Sequence, residues 1–295
     1  MSEFLRHIPY VLVMIAVTHC HNAVATVYNV PGDPIPLSLG PGDQLNLGAG
    51  GVLPDDFFSS VDSVLNINGG VVGDRFLSFG EVNLYSGSIG EGFSNRGQFT
   101  VIGGDVGIES STTSGGTLKI SGGNIGDLTG FIDATVIISG GDVGVVEGNH
   151  VFGANFFISG GILRGNLILD AASTLDLSAG LVEGTIAPED GATVHVAGTS
   201  FLLDGIPIAG ITPGVPHTIG QVNSSLTGTL RDGSAFTLVP YHVWNSLPQT
   251  GNFSLTVLLV PEPNLPAQLT VFSFTCAFAF ARQRRYDLGN QDANV

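Results

Sequence analysis

Between residues 45 and 203 one arrangement of apolar and polar positions recurs nine times. Val136-Ile-Ile-Ser-Gly-Gly-Asp-Val-Gly144 is a clear copy, and Leu118-Lys-Ile-Ser-Gly-Gly-Asn-Ile-Gly126 and Phe99-Thr-Val-Ile-Gly-Gly-Asp-Val-Gly107 are variants of it. The first apolar position is held by Leu45, Leu65, Val82, Phe99, Leu118, Val136, Phe156, Leu175 and Val194. Two residues on stand Leu47, Ile67, Leu84, Val101, Ile120, Ile138, Ile158, Leu177 and Val196. Five further come Val52, Val72, Ile89, Val106, Ile125, Val143, Leu163, Val182 and Phe201. Alternation over the first three residues is the signature of a strand with one buried face. The paired glycines that follow permit positive φ and close backbone approach at a turn.

Successive copies start 17 to 20 residues apart. A unit of that length cannot bury its own apolar face, so neighbouring units must stack. The pattern therefore predicts an all-β fold, a parallel β-solenoid in its simplest right-handed β-helix form. About nine coils at about 4.8 Å each make a rod on the order of 40 Å long. The Pro- and Gly-rich segment 26–44 reads as an irregular lead-in that covers the first coil. Beyond the repeats (45–203), segment 204–259 reads as a small β-hairpin cap, because Asp204-Gly205 and Asp232-Gly233 sit between apolar strands.

Charge narrows the function classes. The chain has 9 Lys and Arg against 25 Asp and Glu, a formal net charge of −16. Between the two terminal segments the only basic residues are Arg75, Arg96, Lys119, Arg164 and Arg231. An acidic body of this kind repels nucleic acid and anionic lipid, whose phosphates require basic partners. Both cysteines, Cys20 and Cys276, fall in terminal apolar segments, so no disulfide framework is expected in the body.

Residues 1–25 read as a secretory signal peptide: Arg6 and His7, an apolar run from Ile8 to Val17, and Ala23-Val-Ala25 before a cleavage point at Thr26. At the other end, Pro261-Glu262-Pro263 precedes an apolar run at 267–281, then Arg282, Arg284 and Arg285, and a polar tail at 286–295. The order of box, apolar segment and basic stop over 260–285 resembles the PEP-CTERM sorting signal. The resemblance implies export, transient anchoring in the inner membrane with the arginines on the cytoplasmic side, and processing at the box by an exosortase-like enzyme. It also implies a destination at the cell surface or in the extracellular matrix, among exopolysaccharide and other surface proteins.

Candidate chemistry is sparse. Stacking would align Asn46, Asn66, Asn83, Thr100, Lys119, Ile137, Phe157, Asp176 and His195 on one outer face. The asparagines suit either amide stacking or a binding face; Ile137 and Phe157 make an apolar spot suited to a sugar or partner, or to cover by a loop. Asp105, Asp127 and Asp142 are weak candidates for Ca2+, which prefers several oxygen ligands; Asp74 and Glu91 recur nearby. Pairs such as Asp105/Asp142 or Asp127/Asp142 could also serve a glycoside hydrolase, which needs two carboxylates roughly 5–10 Å apart. A lyase would need a base beside cationic groups, whereas Arg75, Arg96, Lys119 and Arg164 are scattered along the repeats. His150, His195, His217 and His242 have no metal-ligand spacing. The expectation is a structural or adhesive protein without catalytic residues or a cofactor, the alternative a carbohydrate-active β-helix enzyme.

Overall fold

The computed structural model describes residues 25–113, 115–145, 149–239, 241–244, 247–250 and 253–261. It is all-β: parallel strands stack into a solenoid of about eight turns, with no helix among the described residues. Each turn presents three faces. On the first, an unbroken parallel ladder runs from Val27–Val30 through Gln44–Gly48 and every repeat start to Thr193–Leu203. Leu45 lies over Leu65, Leu65 over Val82, and so on to Leu175 over Val194. All nine members of each of the first two apolar columns are buried. Burying such a side chain stabilises by roughly 1.5–3 kcal/mol, and here every coil shares that gain with its neighbours.

The lead-in, expected to be irregular, contributes a rung. Val27–Val30 pairs in parallel with Gln44–Leu47, setting Tyr28 on Leu45 and Val30 on Leu47. The loop after it then closes the ladder: Asn29 N–H donates to Asp33 Oδ2 at 2.7 Å, and Asp33 N–H donates to Asn29 O at 2.7 Å. An edge strand whose outward groups are taken this way is a poor template for further pairing.

The second face carries the third apolar column, with two corrections. In the first copy the buried residue is Leu53, while Val52 is 54% exposed. The turn Gly48–Gly51 holds one residue more than later turns, and a one-residue slip exchanges the two faces of a strand. In the last copy Phe201 is buried but pairs antiparallel with Gly228, outside the parallel ladder. The column therefore has eight members, from Leu53 to Val182, which is why nine copies make about eight turns.

The third face held no sequence expectation. Its strands are short, and its inward column begins Ser59, Ser78, Asn95 and Thr112, all buried. Beside it Phe57, Phe76 and Phe93 stack inside the coil, with ring centroids 6.0 and 5.1 Å apart. Each follows a residue in the left-handed region, Asp56 (φ 58), Arg75 (φ 56) and Gly92 (φ 69), which turns the chain inward.

At the corner between the first two faces, the paired glycines have separate tasks. A Cβ on Gly140 would lie 2.3 Å from Ser121 O of the preceding coil, and Gly141 has φ 83. The first glycine permits close approach and the second the turn.

The cap is built on the last coil. Thr193–Leu203 turns back through Asp204 (φ 48) and Gly205 (φ 78), and Leu226–Leu230 and Ala235–Leu238 add antiparallel strands. After 253 the chain returns to the solenoid: Phe253–Leu259 lies parallel on Thr193–Gly198, so Phe253, Leu255 and Val257 extend the buried columns. Pro216–Val222 pairs antiparallel with this strand's other edge and ends the ladder. Among the described residues no helix is long and apolar enough to cross a membrane.

Gly140→Ala is expected to lower the free energy of unfolding by about 1–3 kcal/mol, because its Cβ meets backbone that cannot move without shifting a coil. Urea denaturation checks this; unchanged stability would contradict the close-approach role.

Candidate functional site

The outer column of the first face is now a physical row. Its beginning is an amide ladder: Asn46 Nδ2 donates to Asn29 Oδ1 at 2.9 Å, Asn66 to Asn46 at 3.0 Å, and Asn83 to Asn66 at 3.1 Å. For Asn46 and Asn66 the amide oxygen accepts from one neighbour while the nitrogen donates to the other, a stacking role that occupies the groups a ligand would need. Thr100, Lys119, Ile137 and Phe157 continue the column.

The acidic residues are likewise engaged within the fold. Asp105, Asn124 and Asp142 lie on successive rungs of the second face, so Asn124 stands between the two carboxylates. Asn124 Nδ2 donates to Asp105 Oδ1 at 2.9 Å. Asp142 takes both arms of Arg164, Nε to Oδ1 at 2.6 Å and Nη2 to Oδ2 at 2.7 Å, and Arg164 Nη1 reaches Glu183 Oε2 at 2.7 Å. The guanidinium thus straps three coils, and its hydrogen bonds to Asp142 hold that carboxyl below its ordinary range. The Asp127 side chain lies outside the described ones. Asp55 Oδ1 accepts the Asp74 N–H at 3.0 Å and Asp74 Oδ1 the Glu91 N–H at 2.9 Å, so this second acidic series carries coil-to-coil bonds. Among the described residues no three His, Cys, Asp or Glu side chains gather as a metal site would require.

The last part of the first-face column differs. Phe157, Asp176, His195 and Thr256 stand on consecutive rungs. They border an open groove of about 550 Å3 lined also by Leu258 and Pro216, which follow Ala197 on successive rungs of the same sheet. Phe157 is 41% exposed, and Asp176 Oδ1 lies 2.8 Å from His195 Nδ1. With Nδ1–H donating to the carboxylate, Nε2 is left as an acceptor. Thr218 and Thr256 hydroxyls are 3.3 Å apart beside it. The groove shares Ser159 and Ser178 with a second hollow of about 440 Å3, lined also by Arg231, Asp232, Val260 and Pro261. Asp232 fixes that end, since Gly180 N–H donates to its Oδ2 at 2.8 Å and Ser234 N–H to its Oδ1 at 3.0 Å. Burial pushes the Asp232 carboxyl up, but the bonds from Gly180 and Ser234 outweigh it and the net direction is down.

Phe157, Asp176 and His195 were legible as members of one column, but the Asp–His pair and the rungs added after the repeats were not. Those later rungs come from residues 216 and 256–258, which join the sheet from beyond the repeats. His217 sits in the strand Pro216–Val222; His150 and His242 lie in the strands Asn149–Phe152 and Tyr241–Trp244, with side chains outside the described ones. Of the residues expected to form a sorting signal, Pro261 is exposed just beyond the last strand, and Glu262, Pro263, Arg282, Arg284 and Arg285 lie outside the described residues. No family model, curated protein or solved structure matches the chain.

Two outcomes are expected. Asn66→Ala removes two rungs of the amide ladder and should cost about 0.5–1.5 kcal/mol per hydrogen bond removed, at the lower end because the ladder is half exposed; urea denaturation reads it, and unchanged stability would contradict the stacking role. For the strap, Asp142 has its folded pKa depressed, so its contribution is present above the unfolded value of about 3.9 and disappears as pH falls through the folded value. Wild type should lose more melting temperature between neutral pH and the acid side of that value than Asp142→Asn; equal losses would show that the strap is not linked to stability.

Proposed function

We propose that this chain is an exported cell-surface or matrix protein whose role is structural or adhesive, a rod displayed among exopolysaccharide. The observation that carries the reading is the position of the Pro-Glu-Pro box. Phe253–Leu259 docks on the solenoid, Val260 N–H donates to Gly198 O at 2.8 Å, and the exposed Pro261 opens the box one residue later. A processing enzyme would therefore meet an exposed Pro261 with the described rod already completed on its N-terminal side. The engaged carboxylates support the same reading, because Asp142 bound by both arms of Arg164 is poorly placed to be a general acid or a nucleophile.

One observation favours the alternative, a polysaccharide lyase or hydrolase. His195, oriented by Asp176 at 2.8 Å beside a groove, has the arrangement of a general base and its positioning partner. Product release from acidic and neutral polysaccharides, abolished by His195→Ala, would replace the structural reading with this one.

The test of the address is cell fractionation of Pro261→Ala and Arg284→Ala in the native host. Both variants are expected to be retained in the inner-membrane fraction while wild type reaches the surface. Normal surface delivery of both would overturn the sorting reading.

A further inference from the structure

We propose that the groove beside Phe157 is a binding site for an uncharged glycan chain, lying along the rod axis across successive rungs. The assignment rests on the matrix reading above and names the site and ligand class through which the rod would hold its surroundings.

Chemistry and geometry support it together. The row Phe157, Asp176, His195 and Thr256 offers, in register and about 4.8 Å apart, an aromatic face, a carboxylate, an imidazole and a hydroxyl. Among the described residues Asp176 Oδ2 and His195 Nε2 carry no hydrogen bond, so both are available to sugar hydroxyls. The ring of Phe157 suits the apolar C–H face of a pyranose. Mostly apolar walls with a few placed polar groups, at about 550 Å3, match the usual form of a ligand site. Continuity with the second hollow through Ser159 and Ser178 favours an extended ligand over a compact one.

Charge selects among polymers. The groove beside Phe157 is lined by one carboxylate, Asp176, and by no Lys or Arg, within a chain of net charge −16. A uronate polymer would meet an acidic protein and a groove beside Phe157 without Lys or Arg, so an uncharged glycan is the complementary partner. A peptide added as an extra strand to Phe253–Leu259 is disfavoured, because this strand is hydrogen-bonded on both edges, to Thr193–Gly198 and to Pro216–Val222.

Isothermal titration calorimetry on the secreted protein tests this, with cellohexaose, mannohexaose and maltohexaose as neutral probes and hexagalacturonate as the anionic one. At least one neutral probe should bind wild type, and Phe157→Ala and Asp176→Asn should each weaken it by about tenfold, the scale of a single aromatic stacking interaction or a single hydrogen bond. Unchanged melting temperatures would show that both variants fold. Equal affinity in wild type and both variants places any glycan site elsewhere and overturns the assignment. So does tighter binding of hexagalacturonate, or the lack of a neutral-glycan signal in wild type. A protein that binds no glycan yet reaches the cell surface loses only this site; one that stays inside the cell loses the matrix reading itself.

Discussion

Successive turns of this chain must approach to the strand spacing of about 4.8 Å at every corner, and the rest of the structure follows from that demand. No coil of 17 to 20 residues closes a core alone. Each becomes stable only when its Leu, Val, Ile and Phe positions lie over those of the next coil. Side chains at the corners would hold the coils apart, as the 2.3 Å separation between a Cβ on Gly140 and Ser121 O makes plain. Glycine is therefore placed where backbone meets backbone, and apolar residues where side chain meets side chain.

The same closeness explains the surface. Like residues aligned at rung spacing either repel or bond, and this chain makes them bond. Asparagines share amide hydrogen bonds, carboxylates accept the next coil's N–H groups, and Arg164 neutralises Asp142 and Glu183 together. Much of the polar surface thus serves the rod. The end of the first face is the exception, where the returning strand Phe253–Leu259 and its antiparallel neighbour extend the sheet and line the groove.

Much of this architecture was legible because the period-2 alternation on the first face is local and repeated. What was missed is what locality hides. The third face breaks the apolar rule with Ser59, Ser78, Asn95 and Thr112 inside, and its core signal, Phe57, Phe76 and Phe93, lies at a repeat position the other copies do not fill with Phe. Val52 was misplaced because one extra turn residue inverts a strand's faces while leaving its composition unchanged. Tyr28-x-Val30 and Phe253-x-Leu255-x-Val257 carry the same alternation as the repeats but lack the paired glycines after them, so their place as rungs emerged only from the pairing. For the candidate site, the column was readable and the groove was not, since Thr256 and Leu258 come from sixty residues or more beyond His195 and Pro216 from outside the repeats.

The last strand ends at Leu259, two residues before the Pro-Glu-Pro sequence that we propose as a sorting box. The intact mass of the protein recovered from its native host tests that junction most directly. A species beginning at Thr26 and ending within the Pro261–Pro263 box is the expected result. A species that keeps residues 1–25 and the whole segment from 264 to 295 would contradict the account.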